Sequence, residues 1–265
     1  MWISYDGNGQ LAAIEQFLCK HEAMDKAKLH WGQIKVDDKK ALWGFNQKVL
    51  RDILVKPEQF SDAIHLCLSQ HAMVHTSEMS HAGEVTFEDQ VWDDLQQNVF
   101  CTMPTIKDET IAWSLWHITR IEDITMNILV ADETQVIHRE NWLEKLGVEV
   151  CDTGNSMSDA EIIDLSSRLN MKALRQYRIA VGRKTREIIA NLQPADLKRK
   201  MKADRLQRIL AEGAVLNVEG ANWLIDFWGR KDVAGILLMP VTRHQLVHIN
   251  ESIRLKKKCQ AQQKK

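Results

Sequence analysis

Apolar residues recur along this chain at intervals of three and four, and the stretches that keep this spacing are long. That period belongs to helices with one buried face. Residues 39–55 place Leu42, Phe45, Val49 and Ile53 on one stripe, and 11–30 carry a helix-period pattern of their own, so a helical hairpin is predicted there. Pro57 stands where proline opens a helix, and Phe60, Ile64, Leu68 and Ala72 line one predicted to run to about Ser80. Thr86, with Asp89 in the first turn, starts a short one. The strongest pattern, DETIAWSLWHITRIEDITMNILVA over 108–131, holds neither Gly nor Pro and opens at Asp108 or Thr110. Residues 132–155 read as irregular apart from a short amphipathic piece at 142–146. Ser158 and Glu161 form a capping box for a helix to 170, a longer one covers 171–192 before Pro194, and Leu206, Ile209 and Leu210 mark a short one closed by Gly213. The last long helix is predicted from Pro240 to about Lys258, and the polar, basic stretch Lys256–Lys265 at its end is expected to fray.

Four of these segments are long (57–80, 108–131, 170–192 and 240–258), and their connections exceed those of simple hairpins. The predicted fold is all-α: a four-helix bundle with crossover connections over 57–258, extra N-terminal helices in 1–56 and a basic tail at 259–265. Only 4 Pro and 12 Gly occur in 265 residues, too few punctuators for a protein of many short strands. The charge balance, 35 Lys+Arg against 36 Asp+Glu, excludes neither binding nor catalysis. The longest apolar run, 233–241, is nine residues with Pro240 inside it, far short of the roughly 20 that cross a bilayer, so no membrane partner is expected. No Lys or Arg precedes an apolar run at the N-terminus, and five cysteines without a CxxC pair suit a reducing compartment. The expected location is the cytoplasm.

The histidines carry the candidate chemistry. Two pairs, His71/His75 and His244/His248, have HxxxH spacing, which on a helix puts both imidazoles on one face, about 5–6 Å apart at Cβ, within reach of one metal ion. Gln245 stands where a metalloprotease of the H-E-x-x-H kind needs Glu, so that chemistry is excluded. A third ligand has to come from another helix. His117 is a candidate, in line with Trp113, Ile121, Ile124 and Ile128 on the stripe facing the core. His71 and His75 share a face with Leu68, Ala72 and Met79 and read as core-edge or surface residues, the alternative being a contribution to the metal or its substrate. Glu251, one turn past His248, can orient a ligand or serve as a general base. Glu122 and Asp123 are expected to pair with Arg120 or solvent.

The segments WSLWHITRIEDITMN (113–127) and TRHQLVHINESIRLK (242–256) resemble the two signature helices of the DinB/YfiT-like superfamily of bacterial four-helix-bundle proteins, and the resemblance extends over about 57–258. It implies one divalent metal held by His117, His244 and His248. Three neutral imidazoles leave a coordination position open, as catalytic zinc sites do, and Zn, Ni, Fe or Mn suit such a donor set. The superfamily includes thiol-dependent S-transferases and isomerases. The function so implied is a metal-dependent transferase or hydrolase that activates a low-molecular-weight thiol or water against a small-molecule substrate. The alternative is a non-catalytic, stress-associated binding protein with a structural or vestigial metal, holding nucleic acid on a basic face. Either is compatible with a homodimer.

Twelve Lys/Arg and three Asp/Glu fall between Lys172 and Arg208, but no helix-turn-helix, zinc finger or aromatic RNA-binding motif accompanies them. A solvated helix face, or neutralisation by Glu84, Glu88, Asp89, Asp93 and Asp94, is the expected reading, and nucleic acid is not the expected partner. Of the nine tryptophans, Trp113, Trp116, Trp223 and Trp228 are expected to fill the core; alternatively, Trp223 and Trp228 would wall a pocket over the metal.

Overall fold

The computed structural model describes residues 36–263. The helix predicted over 11–30 lies outside them. The architecture is all-α: among the described residues the one β-type pairing is an isolated bridge between Lys200 and Asp232. Five helices dominate, α1 (Val36–Ile53), α2 (Phe60–Met73), α3 (Ile111–Asp123), α4 (Met171–Asn191) and α5 (His244–Gln263), with shorter helical turns between them. Helix α3 packs against α4 and α5, while α2 packs against α1, α4 and the turn leading into α5. No helix among the described residues is long and apolar enough to cross a membrane.

Local chemistry sets the ends of these elements. The Thr110 hydroxyl caps α3 by accepting the Trp113 N–H at 2.9 Å. All thirteen residues of α3 are buried, and the chain runs on as a π-helix, Ile124–Ala131, until Asp132 turns left-handed at φ 61°. The Ser158/Glu161 capping box forms as predicted and opens the helix Asp159–Arg168.

Three elements differ from expectation. The helix predicted to reach Ser80 stops at Met73; the backbone is extended at Thr76 before a separate turn, Ser77–Ser80. The freed Val74 carbonyl accepts from Arg178, and the Met73 carbonyl accepts the Phe87 N–H. The last helix starts earlier than Pro240. Asp232 caps a helix Val233–Leu238, which enters α5 through a π turn, Met239–Arg243. Pro240 lacks an N–H, and its ring would strike the carbonyl four residues back in an α-helix, so the wider turn carries it without a break. At its other end α5 continues past Lys258 to Gln263. Arg254 and Lys258 clasp Asp108 at 2.9 and 2.5 Å, and the Lys256 ammonium donates to the Gln90 and Asp93 carbonyls, so this stretch of the tail is ordered helix. Finally, Glu219–Gly229 forms a helix where none was predicted, because Gly220 and Gly229 at its ends mask the period.

The interior divides into two apolar clusters. One gathers Ile111, Leu115, Trp116 and Ile118 of α3 with Leu174 and Val181 of α4; the other gathers Ile121 and the π-helix with Ile188 and Ile189. Between them lies a buried polar layer. Arg120 donates to Asp123 (2.8 Å), to Tyr177 Oη (2.6 Å) and to the Cys151 carbonyl (2.9 Å), while Tyr177 donates to Asp123 (2.6 Å). Asp123 also accepts the N–H groups of Val136 and Ile137. Burial pushes the Tyr177 hydroxyl well above its usual range.

Removing one partner of such a pair strands the other without water. Asp123→Ala, which leaves the Arg120 guanidinium without its carboxylate, is expected to lower unfolding free energy by about 3–5 kcal/mol. Urea unfolding measures it, and a loss under about 1 kcal/mol, the range of an exposed pair, would contradict this account.

Candidate metal centre

His117, on α3, and His244 and His248, one turn apart on α5, converge at the edge of the first apolar cluster. Their ring centroids lie 5.1 Å (His117–His244), 5.0 Å (His117–His248) and 4.7 Å (His244–His248) apart, and one ring nitrogen from each falls within 4.8 Å of the others. His117 is buried and the other two are half-buried, so the cluster opens to solvent on the α5 side.

The strand of chain at 151–154 sets the orientation of His117. Four successive carbonyls accept from four side chains on one face of α3: Cys151 from Arg120 (2.9 Å), Asp152 from Trp116 (3.1 Å), Thr153 from His117 (2.7 Å) and Gly154 from Trp113 (3.3 Å). A carbonyl only accepts, so His117 Nδ1 carries the proton and Nε2 keeps its lone pair. This is the support that metal-binding histidines characteristically have. Trp113 stacks on His117 at 4.7 Å and 9° and meets His248 edge-on at 6.2 Å. Gly154 makes the approach possible: its φ is +73°, and a Cβ there would sit 2.6 Å from Trp113 Nε1.

Burial, with the His248 charge second, drives His117 down to about 3, and burial with the neighbouring imidazoles holds His244 well below its usual range. Both are therefore neutral at pH 7, the form that binds metal. Nδ1 of His244 and Nδ1 of His248 are buried without a hydrogen-bond partner. Glu251 Oε2 lies 3.2 Å from His248 Nδ1, off the axis of a hydrogen bond. The donor set thus fits a divalent metal: three imidazoles, one oriented by a carbonyl and two with a buried Nδ1 that has no partner.

Glu251 stands where the sequence placed it, beside His248 and 3.6 Å from Arg254. Beside it is Glu109, unnoticed in the sequence because it precedes the helix and belongs to no periodic stripe. Burial, with Glu251 second, pushes the Glu109 carboxyl up, while interaction with His248 pulls Glu251 down.

Other expected positions are corrected. Glu122 pairs with neither Arg120 nor solvent. It is buried and held by His71 Nε2 (2.8 Å) and His75 Nε2 (2.9 Å), which are themselves buried rather than at a core edge. The reason is that α3 has no solvent face, so position 122 must find partners inside. Asp123 does pair with Arg120. Trp223 is 52% exposed and meets Phe227 edge-on, while Trp228 is buried. Five helical residues separate them, about 140° around the axis, so both cannot face inward. The indole against His117 and His248 belongs to Trp113.

Fold and cluster together define an all-α protein with a group of side chains that could hold a metal ion. The sequence profile of the DinB superfamily matches residues 89–248, more than half of the chain, and the chain belongs to that superfamily. The chain matches no curated protein significantly.

Gly154→Ala is expected to lose about 1–3 kcal/mol of stability from its backbone conformation alone. It should also lower metal retention by displacing Trp113 and His117. Gly213, at φ +64° with open space around it, is the control. If Gly213→Ala and Gly154→Ala behave alike in urea unfolding and metal content, the contact with Trp113 has no role.

The buried imidazoles also make stability depend on pH. His117, lowered to about 3, and His71, lowered to about 4 by burial and by His75, take up protons near pH 6.5 only when the chain unfolds. Chelator-treated protein is therefore expected to be most stable above pH 6.5 and to lose stability as pH falls from 6.5 toward 4. A flat urea midpoint over that interval would contradict the burial of these rings.

Proposed function

We propose that this protein binds one divalent transition metal (Zn, Ni or Fe) through His117, His244 and His248. In this reading it is a metal-dependent enzyme acting on a small-molecule electrophile, as a thiol-dependent transferase or a hydrolase. The observation that carries the proposal is the His117 tautomer: the Thr153 carbonyl accepts the Nδ1–H and leaves the Nε2 lone pair free beside the imidazoles of His244 and His248. Such a metal supplies a Lewis acid that turns a low-molecular-weight thiol or water into a nucleophile near neutral pH.

The chain's own groups do the rest. Trp113 covers one face of His117 and shields it from water, while the half-buried His244 and His248 leave an approach for substrate. Glu251 is the general base, its carboxylate beside His248 and open enough to exchange protons. Burial pushes the carboxyl of the neighbouring Glu109 up, while the contact with His248 holds Glu251 down. The nucleic-acid alternative gains no support, since seven of the twelve cations between Lys172 and Arg208 are ion-paired within the chain.

Metal content by mass spectrometry, on protein purified without chelator, tests the assignment. The His244→Ala/His248→Ala variant should hold one equivalent less than the wild type. Equal contents in the two proteins would overturn it.

A further inference from the structure

The buried group formed by His71, His75 and Glu122 has a geometry that its hydrogen bonds alone do not explain. The two rings lie 4.3 Å apart at 45°, and each directs Nε2 at a different oxygen of the same carboxylate. One donor atom from each of the three residues lies within 4.8 Å of the others, and none of the three is more than 1% exposed.

Charge is the first difficulty. Among the described residues no Lys or Arg reaches ion-pair distance of Glu122; its partners are the two imidazoles. The buried Arg178 guanidinium is engaged by Glu88 through Nε (2.7 Å) and Nη2 (2.8 Å) and by Thr119 (2.9 Å), and the buried Arg120 by Asp123 (2.8 Å). Arg186 donates to the Leu68 carbonyl at 2.7 Å. A carboxylate so far from water needs a cation close by, either a proton on one ring or a metal ion.

Proton placement is the second difficulty. His75 Nδ1 lies 3.9 Å from Glu88 Oε2, on the side of the ring away from Glu122. Nε2–H donates to Glu122 Oε2 at 2.9 Å, which leaves the Nδ1 lone pair facing Glu88 beyond hydrogen-bond reach; a cation at Nε2 with the proton moved to Nδ1 would relieve this. A carboxylate only accepts, so His71 Nε2 carries the proton in this arrangement and its Nδ1 is left as a buried lone pair without a partner. A carboxylate behind a histidine, with the other nitrogen turned to a second carboxylate, is the layout of a metal ligand with its outer support. Gly182 on α4 leaves room for the ring, since a Cβ there would fall 2.9 Å from His75 Nδ1.

We propose that His71, His75 and Glu122 form a second divalent-metal site, with two imidazoles and one carboxylate, separate from the His117/His244/His248 cluster. The donor set suits Zn, Fe or Co, and the closed surroundings make it a site filled as the chain folds.

The full-length chain, refolded from urea with Co²⁺ and then desalted, tests this by metal content and visible d–d absorption. The wild type should hold two equivalents, and His244→Ala/His248→Ala should keep one with its own absorption bands. His71→Gln/His75→Gln should also keep one, and combining all four substitutions should leave none. If the His244→Ala/His248→Ala variant folds by circular dichroism yet binds no cobalt, the second site does not exist and the triad is an imidazolium held between Glu88 and Glu122. That arm stands even if the His71→Gln/His75→Gln variant does not fold. One equivalent in the wild type and the same one in His244→Ala/His248→Ala would instead overturn the first site and leave the second.

Discussion

Helix α3 turns no face to water, and that constraint decides where much of the remaining chain has to go. Its apolar residues can rest on any greasy neighbour, but each of its polar groups needs a particular partner at a particular height. His117 needs an acceptor and finds the Thr153 carbonyl. Arg120 needs an anion and finds Asp123, with Tyr177 closing the triangle. Glu122 needs donors and draws in His71 and His75. The loop 151–154, α4 and α2 are each held in register by these demands, and α5 is tied in by Gln245, which donates to the Ile118 carbonyl at 3.0 Å.

The consequence for stability is asymmetric. A buried polar layer between two apolar clusters adds little when complete, because desolvation offsets most of what its contacts contribute. Incomplete, it is costly. Sliding α4 along α3 by one turn would take Arg178 from Glu88 and Thr119, and Tyr177 from Arg120 and Asp123, breaking all of these contacts at once. The layer therefore contributes more to choosing one packing than to deepening it.

Much of this was legible in the sequence, for physical reasons that also mark the limit. The segment 108–131 announced itself because nothing in it breaks a helix, and the HxxxH spacing of His244 and His248 is a property of one helix alone, readable without neighbours. His117 could be picked out because its stripe included Trp113, Ile121 and Ile128. Glu122 could not. On a helix buried all round, periodicity no longer distinguishes inside from outside, and a carboxylate there looks like any solvated one. The strap of carbonyls at 151–154 was equally hidden, since backbone acceptors leave no mark on residue identity; Gly154 alone betrays it. The helix before Pro240 was missed because proline ordinarily ends a helix, and only the π turn allows one to pass through.

That π turn has a bearing on how this chain can change over generations. Each residue of a helix turns its successors by about 100°, and the wide turn Met239–Arg243 absorbs one extra residue. Loss of a single codon there would leave a plain α-turn with His244 and His248 still facing His117, whereas a loss in the regular helix, with no wide turn to absorb it, would rotate both by about 100° while leaving their spacing intact. Insertions and deletions are tolerated in the exposed connections, where length has no phase. In the regular helix on either side of the π turn length is phase, and a lineage that altered it there by one residue would keep the motif in its sequence and lose the cluster in its fold.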